Sequence, residues 1–304
     1  MNTSEWIKDG LIFNEHKAQL PVPIIDDNKI RIFYSTRIEG KSVPMWIDLN
    51  PNNCKEIIGR SDSPILDLGK PGLFDWSGVM PTCVIKRDSV YFLYYIGWSQ
   101  RIDVPYHNNL GLALSYDEGL TWKKYSDGPV LSTSCKEPGY IGTCDIIEIG
   151  DRYIMYYLSC REWIENNGRM EPIYDVKIAE STDLINWDPL DYTALKLDGD
   201  EGGISSARVI LENNAYIMYF SVRDKIGYRE DVNKSYRIKK AISKDGFNWD
   251  KVEGIELGIS DNEYENFMVC YPGILETEKE ILMFYNGNGF GDTGIYYARK
   301  NKTT

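Results

Sequence analysis

The stretch MPTCVIKRDSVYFLYYIGW (80–98) contains the pattern that decides the fold. A small residue or proline and an apolar pair lead into a short turn, and a strand follows in which aromatic and β-branched residues recur. This pattern predicts two antiparallel strands. It returns in LPVPIIDDNKIRIFYSTR (20–37), TCDIIEIGDRYIMYYLSCR (143–161), SARVILENNAYIMYFSVR (206–223) and YPGILETEKEILMFYNGN (271–288).

The five copies recur at a nearly constant interval. Their aromatic ends fall in register at Tyr34, Tyr95, Tyr157, Phe220 and Tyr285, in steps of 61, 62, 63 and 65 residues. A third strand follows each pair, as in GLALS, and a fourth begins at a tryptophan, as in TWKKYSDGPVL. Four strands per repeat without helical periodicity predict an all-β protein, a five-bladed β-propeller with four-stranded antiparallel blades.

The two ends of the chain complement each other. The last repeat ends after its third strand at GIYYARKNK, and EWIKDGLIF (5–13) has the shape of a fourth strand. We therefore expect the N-terminal strand to close the ring, because closure removes the unpaired edges of a sheet. The whole chain, 1–304, is predicted to be a single domain.

Composition argues against several classes of function. The net charge of −12 disfavours a general nucleic-acid binder, and no stretch is long and apolar enough for a membrane span. Two histidines and six cysteines without C-x-x-C spacing argue against a transition-metal centre or a Ser-His-Asp triad. We expect no cofactor, although carboxylates could bind a structural Ca²⁺ ion. We also expect free thiols and a location in the reducing cytoplasm.

One motif with an aspartate occurs three times. It reads SYDEGLTW (115–122), STDLINW (181–187) and SKDGFNW (243–249), always between a third and a fourth strand. Its Ser and Asp side chains suit a self-bonded turn, and its Trp suits packing between blades. Because strands alternate in direction, this turn lies on the face opposite the start of the first strands, so the motif is interpreted as structural.

The opposite face carries the residues that differ between repeats. The second strands end in Arg37, Trp98, Arg161, Arg223 and Asn288, and the first strands begin near Asp145 and Arg208. Loops to this face add Asp75, Glu201, Glu171 and Tyr106. Carboxylates beside aromatic side chains are typical of sugar chemistry. The predicted substrate-binding residues are Arg37, Trp98, Tyr106, Arg161, Glu171, Arg208, Arg223, Tyr271 and Asn288.

The arrangement resembles the five-bladed propeller glycoside hydrolases, such as families 43, 32, 62 and 130, and most nearly the glycosidase-like members of that superfamily. The resemblance rests on the repeats and on PVPIIDD, FDWSGVMP, EPIY and YNGNGFGDTG. It implies that Asp145 orients the reacting groups and that Glu201 is the general acid. The family's first-blade base has no counterpart here, so Asp75 is the substitute candidate.

These observations predict a carbohydrate-active enzyme that acts on a glycosidic linkage of an anionic or nucleotide-linked sugar, with Asp75, Asp145 and Glu201 as catalytic carboxylates. Four arginines on one face of an acidic chain indicate an anionic group on the ligand. Two alternatives stay open: a sugar-binding propeller without catalysis, and a glycosyl-transferring enzyme of surface-polysaccharide metabolism. The expected partner is a small-molecule or oligosaccharide substrate, and neither nucleic acid nor membrane.

Overall fold

A computed structural model of the chain describes residues 5–14, 17–26 and 28–302. The described chain is built from β-strands and one short helical turn, α1 (Asn288–Gly291), which confirms the predicted all-β class. The terminal residues of the predicted 1–304 domain, 1–4 and 303–304, lie outside the described ranges.

Antiparallel pairing groups the described strands into units of four. The first unit is β2 (Gln19–Asp26), β3 (Lys29–Ile38), β4 (Lys41–Asn50) and β5 (Asn53–Arg60). The second is β6 (Gly78–Arg87), β7 (Val90–Gln100), β8 (Tyr106–Ser115) and β9 (Lys123–Lys124). The third is β10 (Ile141–Ile149), β11 (Arg152–Asn166), β12 (Arg169–Ser181) and β13 (Asp188–Leu195).

The later units follow the same order. The fourth is β14 (Glu201–Glu212), β15 (Ala215–Asp224), β16 (Arg237–Ser243) and β17 (Asp250–Lys251). The last is β18 (Cys270–Glu276), β19 (Glu280–Asn286) and β20 (Ile295–Asn301), and β1 (Ile7–Phe13) pairs antiparallel with β20. The N-terminal segment thus supplies the fourth strand of the last unit.

The first strand of each unit lies beside the first strand of the next. β2 contacts β6, β6 contacts β10, β10 contacts β14, β14 contacts β18, and β18 contacts β2. The apolar cores lie between neighbouring units. One core joins Tyr94 of β7 to Tyr157 of β11, and another joins Ile32 of β3 to Phe284 of β19.

An aromatic contact repeats between the units. In four of the five units, a tryptophan before the fourth strand packs edge-on against an aromatic residue in the second strand of the preceding unit. The pairs are Phe33–Trp122, Tyr94–Trp187, Tyr156–Trp249 and Tyr219–Trp6, with ring centroids 5.6, 6.0, 5.6 and 5.7 Å apart. Trp6 belongs to the N-terminal segment, so this segment makes the same contact as the fourth strands of the second, third and fourth units.

The repeated Ser-x-Asp motif is a structural turn, as predicted. In its third copy Ser243 Oγ accepts the N–H of Gly246 at 2.9 Å, and Asp245 Oδ1 accepts the N–H groups of Phe247 and Asn248, both at 2.8 Å. The carbonyl of Gly246 accepts the hydroxyl of Tyr156 from the preceding unit at 2.7 Å. The aspartate side chain therefore stabilises the turn by accepting backbone hydrogen bonds, and the turn connects two units through the hydroxyl of Tyr156.

Two further predictions concern thiols and membranes. All six cysteines are free; five are buried and Cys135 is exposed. Within the described ranges, no helix has the length and apolar character needed to cross a membrane.

Candidate functional site

Every first strand carries an irregularity at the same place. The register with the second strand shifts between Gln19 and Val22, Pro81 and Cys83, Ile141 and Cys144, Ser205 and Arg208, and Cys270 and Gly273. Such β-bulges re-aim side chains and are common beside functional sites. Leu20, Ser206 and Tyr271 have left-handed φ values of 56°, 49° and 56° at these bulges. Strain of this kind costs about 1–3 kcal/mol and persists only where the surroundings impose it.

A pocket of about 360 Å³ lies where the bulges occur. Its volume falls in the range of small-ligand sites. The bulges contribute Leu20, Gly142, Thr143, Ser205 and Tyr271 to the lining. The other lining residues are Gln19, Arg37, Met80, Ile96, Trp98, Tyr106, Asn108, Tyr140, Leu158, Pro172, Tyr174, Tyr228, Arg229, Tyr236 and Phe290.

The lining combines aromatic rings with positive charge. It includes eight aromatic side chains and two arginines, Arg37 and Arg229, and none of the described lining residues is an aspartate or glutamate. Aromatic rings offer flat apolar faces to the C–H surface of a ligand. Guanidinium groups bind carboxylates and phosphates through paired hydrogen bonds. The pocket therefore suits a ligand with both an apolar face and an anionic group.

Polar atoms of the lining have unused hydrogen-bonding capacity. Gln19 Oε1, Asn108 Oδ1 and Ser205 Oγ are buried and have no hydrogen-bond partner. They belong to three different units, and Ser205 is 3% exposed. Because an unsatisfied buried polar atom costs about 1–3 kcal/mol, a ligand whose hydroxyl groups reach these atoms gains affinity by satisfying them.

Arg37 and Trp98, both predicted to bind substrate, line the pocket and contact each other. The guanidinium carbon of Arg37 lies 5.1 Å from the centre of the Trp98 ring, a cation–π arrangement. The indole N–H of Trp98 donates to Ser42 Oγ at 2.9 Å, which fixes the ring. The exposed guanidinium of Arg37 donates a long hydrogen bond, 3.4 Å, to the carbonyl of Gly40, and a ligand can replace so weak a bond.

Another part of the lining is held by Glu171, which contacts Tyr228 and Arg229. Glu171 is 3% exposed and accepts hydrogen bonds from the hydroxyl of Tyr228 and from Arg229 Nε, the latter at 3.1 Å. Glu171, predicted to bind substrate, therefore lies behind the lining and holds two residues that do line the pocket. Sequence reasoning missed Tyr228 and Arg229 because they lie in an irregular loop outside the repeats.

The three predicted catalytic carboxylates do not line the pocket and are not brought together. Asp75 belongs to a cluster that repeats through the fold. In three units the tyrosine of the second strand donates its hydroxyl to a carboxylate twenty residues earlier; the pairs are Tyr95–Asp75, Tyr157–Glu137 and Tyr285–Glu265, at 3.2, 2.8 and 2.8 Å. A lysine contacts each carboxylate, namely Lys124 at 2.5 Å, Lys177 at 3.6 Å and Lys8 at 3.1 Å. We call this arrangement the tyrosine–carboxylate–lysine cluster.

Glu201 occupies the corresponding place in the fourth unit. There Phe220 replaces the tyrosine, and Glu201 contacts Lys239 at 3.2 Å and Lys251 at 2.6 Å. In the strand register, Lys239 lies opposite Phe220, as Lys177 lies opposite Tyr157 in the third unit. Lys251 lies opposite Ala241, as Lys124 lies opposite Ala113 in the second unit. The geometry therefore gives Asp75 and Glu201 the same ion-paired, structural surroundings in different units. Their catalytic assignment stays a prediction that these contacts do not support.

Asp145 lies in a separate cavity of about 130 Å³, with Cys83 and Arg208 in its lining. Its Oδ2 accepts the N–H of Val209 at 2.8 Å, and its Oδ1 lies 3.5 Å from Arg208 Nη1. Arg208 also donates to the carbonyls of Cys144 and Pro272, at 2.8 and 3.0 Å, and so links three first strands. Burial raises the pKa of the Asp145 carboxyl, and Arg208 opposes that shift.

The remaining predicted binding residues divide between the pocket and its surroundings. Tyr106 and Tyr271 line the pocket. Arg161 is exposed outside it and contacts Asp175 at 3.4 Å. Asn288 uses its side chain in the fold, because its Oδ1 accepts the N–H groups of Phe267 and Met268 at 2.9 and 3.0 Å. Arg223 is buried behind Tyr174 and Tyr228, with its guanidinium carbon 5.0 and 4.0 Å from their rings.

No metal centre is evident in the part of the chain that the structure describes, since it contains no group of three or more His, Cys, Asp or Glu side chains placed to hold an ion.

The chain is similar to proteins of known sequence and structure. No family model matches it. It is 28% identical to the uncharacterised protein Rv1502 of Mycobacterium tuberculosis, over 96% of this chain and 98% of the relative. The solved structure of BT0996 in complex with RGII has a TM-score of 0.74 at 17% identity, over 96% of this chain and 90% of the other protein.

A third similar protein carries a functional description. It represents the GH130 family of mannoside phosphorylases, which contains glycoside hydrolases that target β-1,2 mannosidic linkages in Candida mannan. Its TM-score is 0.69 at 14% identity, over 98% of this chain and 90% of the other. The resemblance to the propeller glycoside hydrolases is confirmed at the level of the fold.

Proposed function

We propose that the protein is a five-bladed β-propeller, closed by β1, which acts on or binds an anionic sugar in the pocket at its axis. The cyclic neighbour order of the first strands and the contact of Trp6 with Tyr219 support the blade count and the closure. The similar solved structures support a glycosidase-like carbohydrate-active enzyme. The six free thiols support a cytoplasmic location.

The composition of the pocket carries the proposal. Aromatic rings, unsatisfied amide and hydroxyl oxygens, and two arginines without a lining carboxylate suit the C–H faces, the hydroxyls and the acidic group of one sugar. A neutral sugar offers no anionic group to the guanidinium groups of Arg37 and Arg229. We therefore expect an acidic sugar to bind more tightly than its neutral analogue.

Calorimetry with glucuronate and glucose, and with their β-linked disaccharides, tests this expectation. Charge-assisted hydrogen bonds contribute about 1.5–3 kcal/mol each, so the acidic member should bind at least about tenfold more tightly. Arg37→Met and Arg229→Met should each remove part of that difference, and the double variant should remove most of it. Arg152→Met is the control, because Arg152 lies at the far end of β11 in an exposed pair with Glu180. Equal affinity for acidic and neutral sugars would refute the proposal.

Catalysis and simple binding are separated by product analysis. The wild-type protein is incubated with β-linked glucuronides in the presence and absence of inorganic phosphate, and the products are identified by mass spectrometry. Free sugar indicates hydrolysis, and sugar phosphate indicates phosphorolysis. Tight binding without either product favours the sugar-binding propeller.

A further inference from the structure

The two arginines of the pocket lining differ in how their charge is compensated. Arg229 Nε donates to Glu171 Oε1 at 3.1 Å, and Arg229 Nη2 donates to Glu171 Oε2 at 3.4 Å, so the carboxylate bonds to one edge of the guanidinium. Glu171 is 3% exposed, and the hydroxyl of Tyr228 donates to the same carboxylate. Because a buried carboxylate is costly without a positive partner, the two side chains stay together, and the net charge of the pair is zero.

Aromatic rings restrict where Arg229 can move. Its guanidinium carbon lies 4.7 Å from the centre of the Tyr228 ring and 5.1 Å from the centre of the Phe290 ring, and all three residues line the pocket. Glu171 occupies the edge of the guanidinium formed by Nε and Nη2, which leaves Nη1 to a ligand. Arg229 can therefore donate a hydrogen bond to a ligand, while its positive charge is already matched by Glu171.

Arg37 has neutral partners in the described part of the chain. Its guanidinium carbon lies 5.1 Å from the centre of the Trp98 ring, and it donates a long hydrogen bond to the carbonyl of Gly40. The carboxylate that acts on it electrostatically, Asp292, is itself paired with Lys17 at 3.3 Å. A ring and a carbonyl do not cancel a positive charge, so the charge of Arg37 remains for an anionic group of the ligand.

A third arginine lies behind the lining. Arg223 is 2% exposed, and its guanidinium donates to the carbonyls of Pro172 and Asp224, the latter at 2.7 Å. The centre of the Tyr228 ring lies 4.0 Å from its guanidinium carbon. Arg223 thus uses its N–H groups inside the protein and cannot pair directly with a ligand. Among the described lining residues, Arg37 is the cation with an unmatched charge.

We propose that the sugar bound in this pocket carries a single negative charge, as a uronic acid does, and that Arg37 is its counter-ion. Glu171 then determines specificity, because it neutralises Arg229 and so leaves one positive charge for direct contact instead of two. A carboxylate carries one charge, whereas a phosphate monoester carries about 1.5 to 2 at pH 7. A sugar phosphate therefore brings more charge than the lining matches. This inference rests on the proposed function and narrows its substrate class to sugars with one carboxylate.

Calorimetry at pH 7 with glucuronate, glucose 6-phosphate and glucose tests the charge that the pocket accepts. The two anions carry their charge at the same end of the sugar, so they differ chiefly in its amount. We expect the wild-type protein to bind glucuronate at least about fivefold more tightly than glucose 6-phosphate, a ratio that corresponds to about 1 kcal/mol for the unmatched second charge. Both anions are compared with glucose, which carries no charge.

Glu171→Gln tests the residue that sets this limit. The substitution leaves the charge of Arg229 unmatched, so the affinity for glucose 6-phosphate relative to glucuronate should rise about fivefold or more. Both affinities are measured on the same preparation, so a smaller folded fraction cancels from their ratio. Glu180→Gln is the matched control, because Glu180 forms an ion pair with the exposed Arg152 outside the pocket lining. It should leave the ratio unchanged.

A charge-neutral double variant gives a second measurement. Arg229→Met/Glu171→Gln removes both members of the ion pair and leaves the charge of Arg37 unmatched, as in the wild type. Most of the preference for glucuronate over glucose should therefore remain. Arg37→Met keeps the ion pair but removes the proposed counter-ion, so it should lose more of this preference than the double variant does.

The outcomes separate this inference from the proposed function. A wild-type protein that prefers both anions to glucose, and binds glucose 6-phosphate as tightly as glucuronate or more tightly, overturns the single-charge inference and leaves the binding of an anionic sugar standing. A ratio in Glu171→Gln within about a factor of two of the wild-type ratio overturns the role of Glu171. A larger loss of preference in the double variant than in Arg37→Met overturns the role of Arg37. Equal affinity for all three sugars refutes the proposed function, and this inference with it.

Discussion

At the scale of single residues, the nearest partner decides what a carboxylate can do. Asp75 is 1% exposed and lies between the hydroxyl of Tyr95 and the ammonium of Lys124. The same surroundings recur at Glu137 and Glu265, which no sequence motif marked as catalytic. Repetition of the contact indicates that it holds the strands of a unit to the loop that precedes them.

Asp75→Asn is therefore expected to destabilise the fold. The substitution leaves the partly buried ammonium of Lys124 without a counter-charge, and breaking such a pair costs about 3–5 kcal/mol when both partners are buried. We expect a loss of about 3 kcal/mol in the free energy of unfolding, measured by urea denaturation. The double variant Asp75→Leu/Lys124→Met should recover most of it. A stable Asp75→Asn that has lost turnover would restore the catalytic assignment.

A second carboxylate makes stability depend on pH. Burial raises the pKa of Asp175 to about 6, and its Oδ1 has no hydrogen-bond partner. Because the folded pKa is higher than the unfolded value of about 3.9, ionised Asp175 destabilises the fold above pH 6, and this penalty disappears below about pH 4. Asp175→Asn should raise the free energy of unfolding at pH 7 by up to about 2–3 kcal/mol.

The pH series itself supplies the control. Wild type and Asp175→Asn should have equal stability at pH 4 and diverge between pH 4 and 6. Arg161→Met should extend the divergence to higher pH, because Arg161 lowers the pKa of Asp175. A constant difference between the two proteins at all pH values would contradict this account.

At the scale of secondary-structure elements, the contacts that join neighbouring units and the residues that line the pocket lie in different parts of each unit. The Ser-x-Asp turns connect third and fourth strands and contact the preceding unit. The bulges of the first strands supply residues to the pocket. Changes in a turn should therefore alter stability without altering the affinity for sugar.

Ser243→Ala tests that separation. It removes the acceptor of the Gly246 N–H in a buried part of the turn, so the free energy of unfolding should fall by about 1–3 kcal/mol. The affinity for glucuronate should stay within about a factor of two of wild type, since an effect on binding below about 0.5 kcal/mol is expected. Ser63→Ala, at an exposed position, should change neither quantity. Weaker binding by Ser243→Ala would connect the turn to the ligand.

The strands and the turns could be predicted from sequence because each repeats with a fixed spacing of side chains. The catalytic assignment could not, because a loop aspartate such as Asp75 has the same sequence signature whether it meets a substrate or a lysine. The spacing of twenty residues between Asp75 and Tyr95, repeated at Glu137 and Tyr157, is the signal that could have revealed its structural role. The bulges carried no such signal, since Leu20, Ser206 and Tyr271 are not glycines.

At the scale of the whole molecule, the two ends of the chain share one unit. β1 pairs with β20, and its buried Phe13 packs against Tyr34 of the first unit with ring centroids 5.2 Å apart. The N-terminal strand thus links the last unit to the first. Its contribution to stability measures how far the fold depends on this link between the last unit and the first.

Phe13→Ala should be among the more damaging single substitutions. Phe13 is 5% exposed, and truncating a buried phenylalanine costs about 3–5 kcal/mol. Leu11→Ala on the same strand is the control, because Leu11 is 40% exposed. Urea denaturation should show a large loss for the first and little for the second. Similar small losses in both would mean that the N-terminal strand is not part of the cooperative fold.

The bulge in every first strand has a consequence for how the ligand specificity of this fold can evolve. The bulges are held through their backbone, because the N–H groups of Leu20, Ser206 and Tyr271 donate to side chains of the neighbouring unit. A side chain that a bulge presents to the pocket can therefore be exchanged while these hydrogen bonds stay in place. The present set includes a leucine, a glycine, a serine and a tyrosine at Leu20, Gly142, Ser205 and Tyr271. A chain of this kind can acquire a new ligand one unit at a time, while the scaffold that carries the pocket is inherited intact.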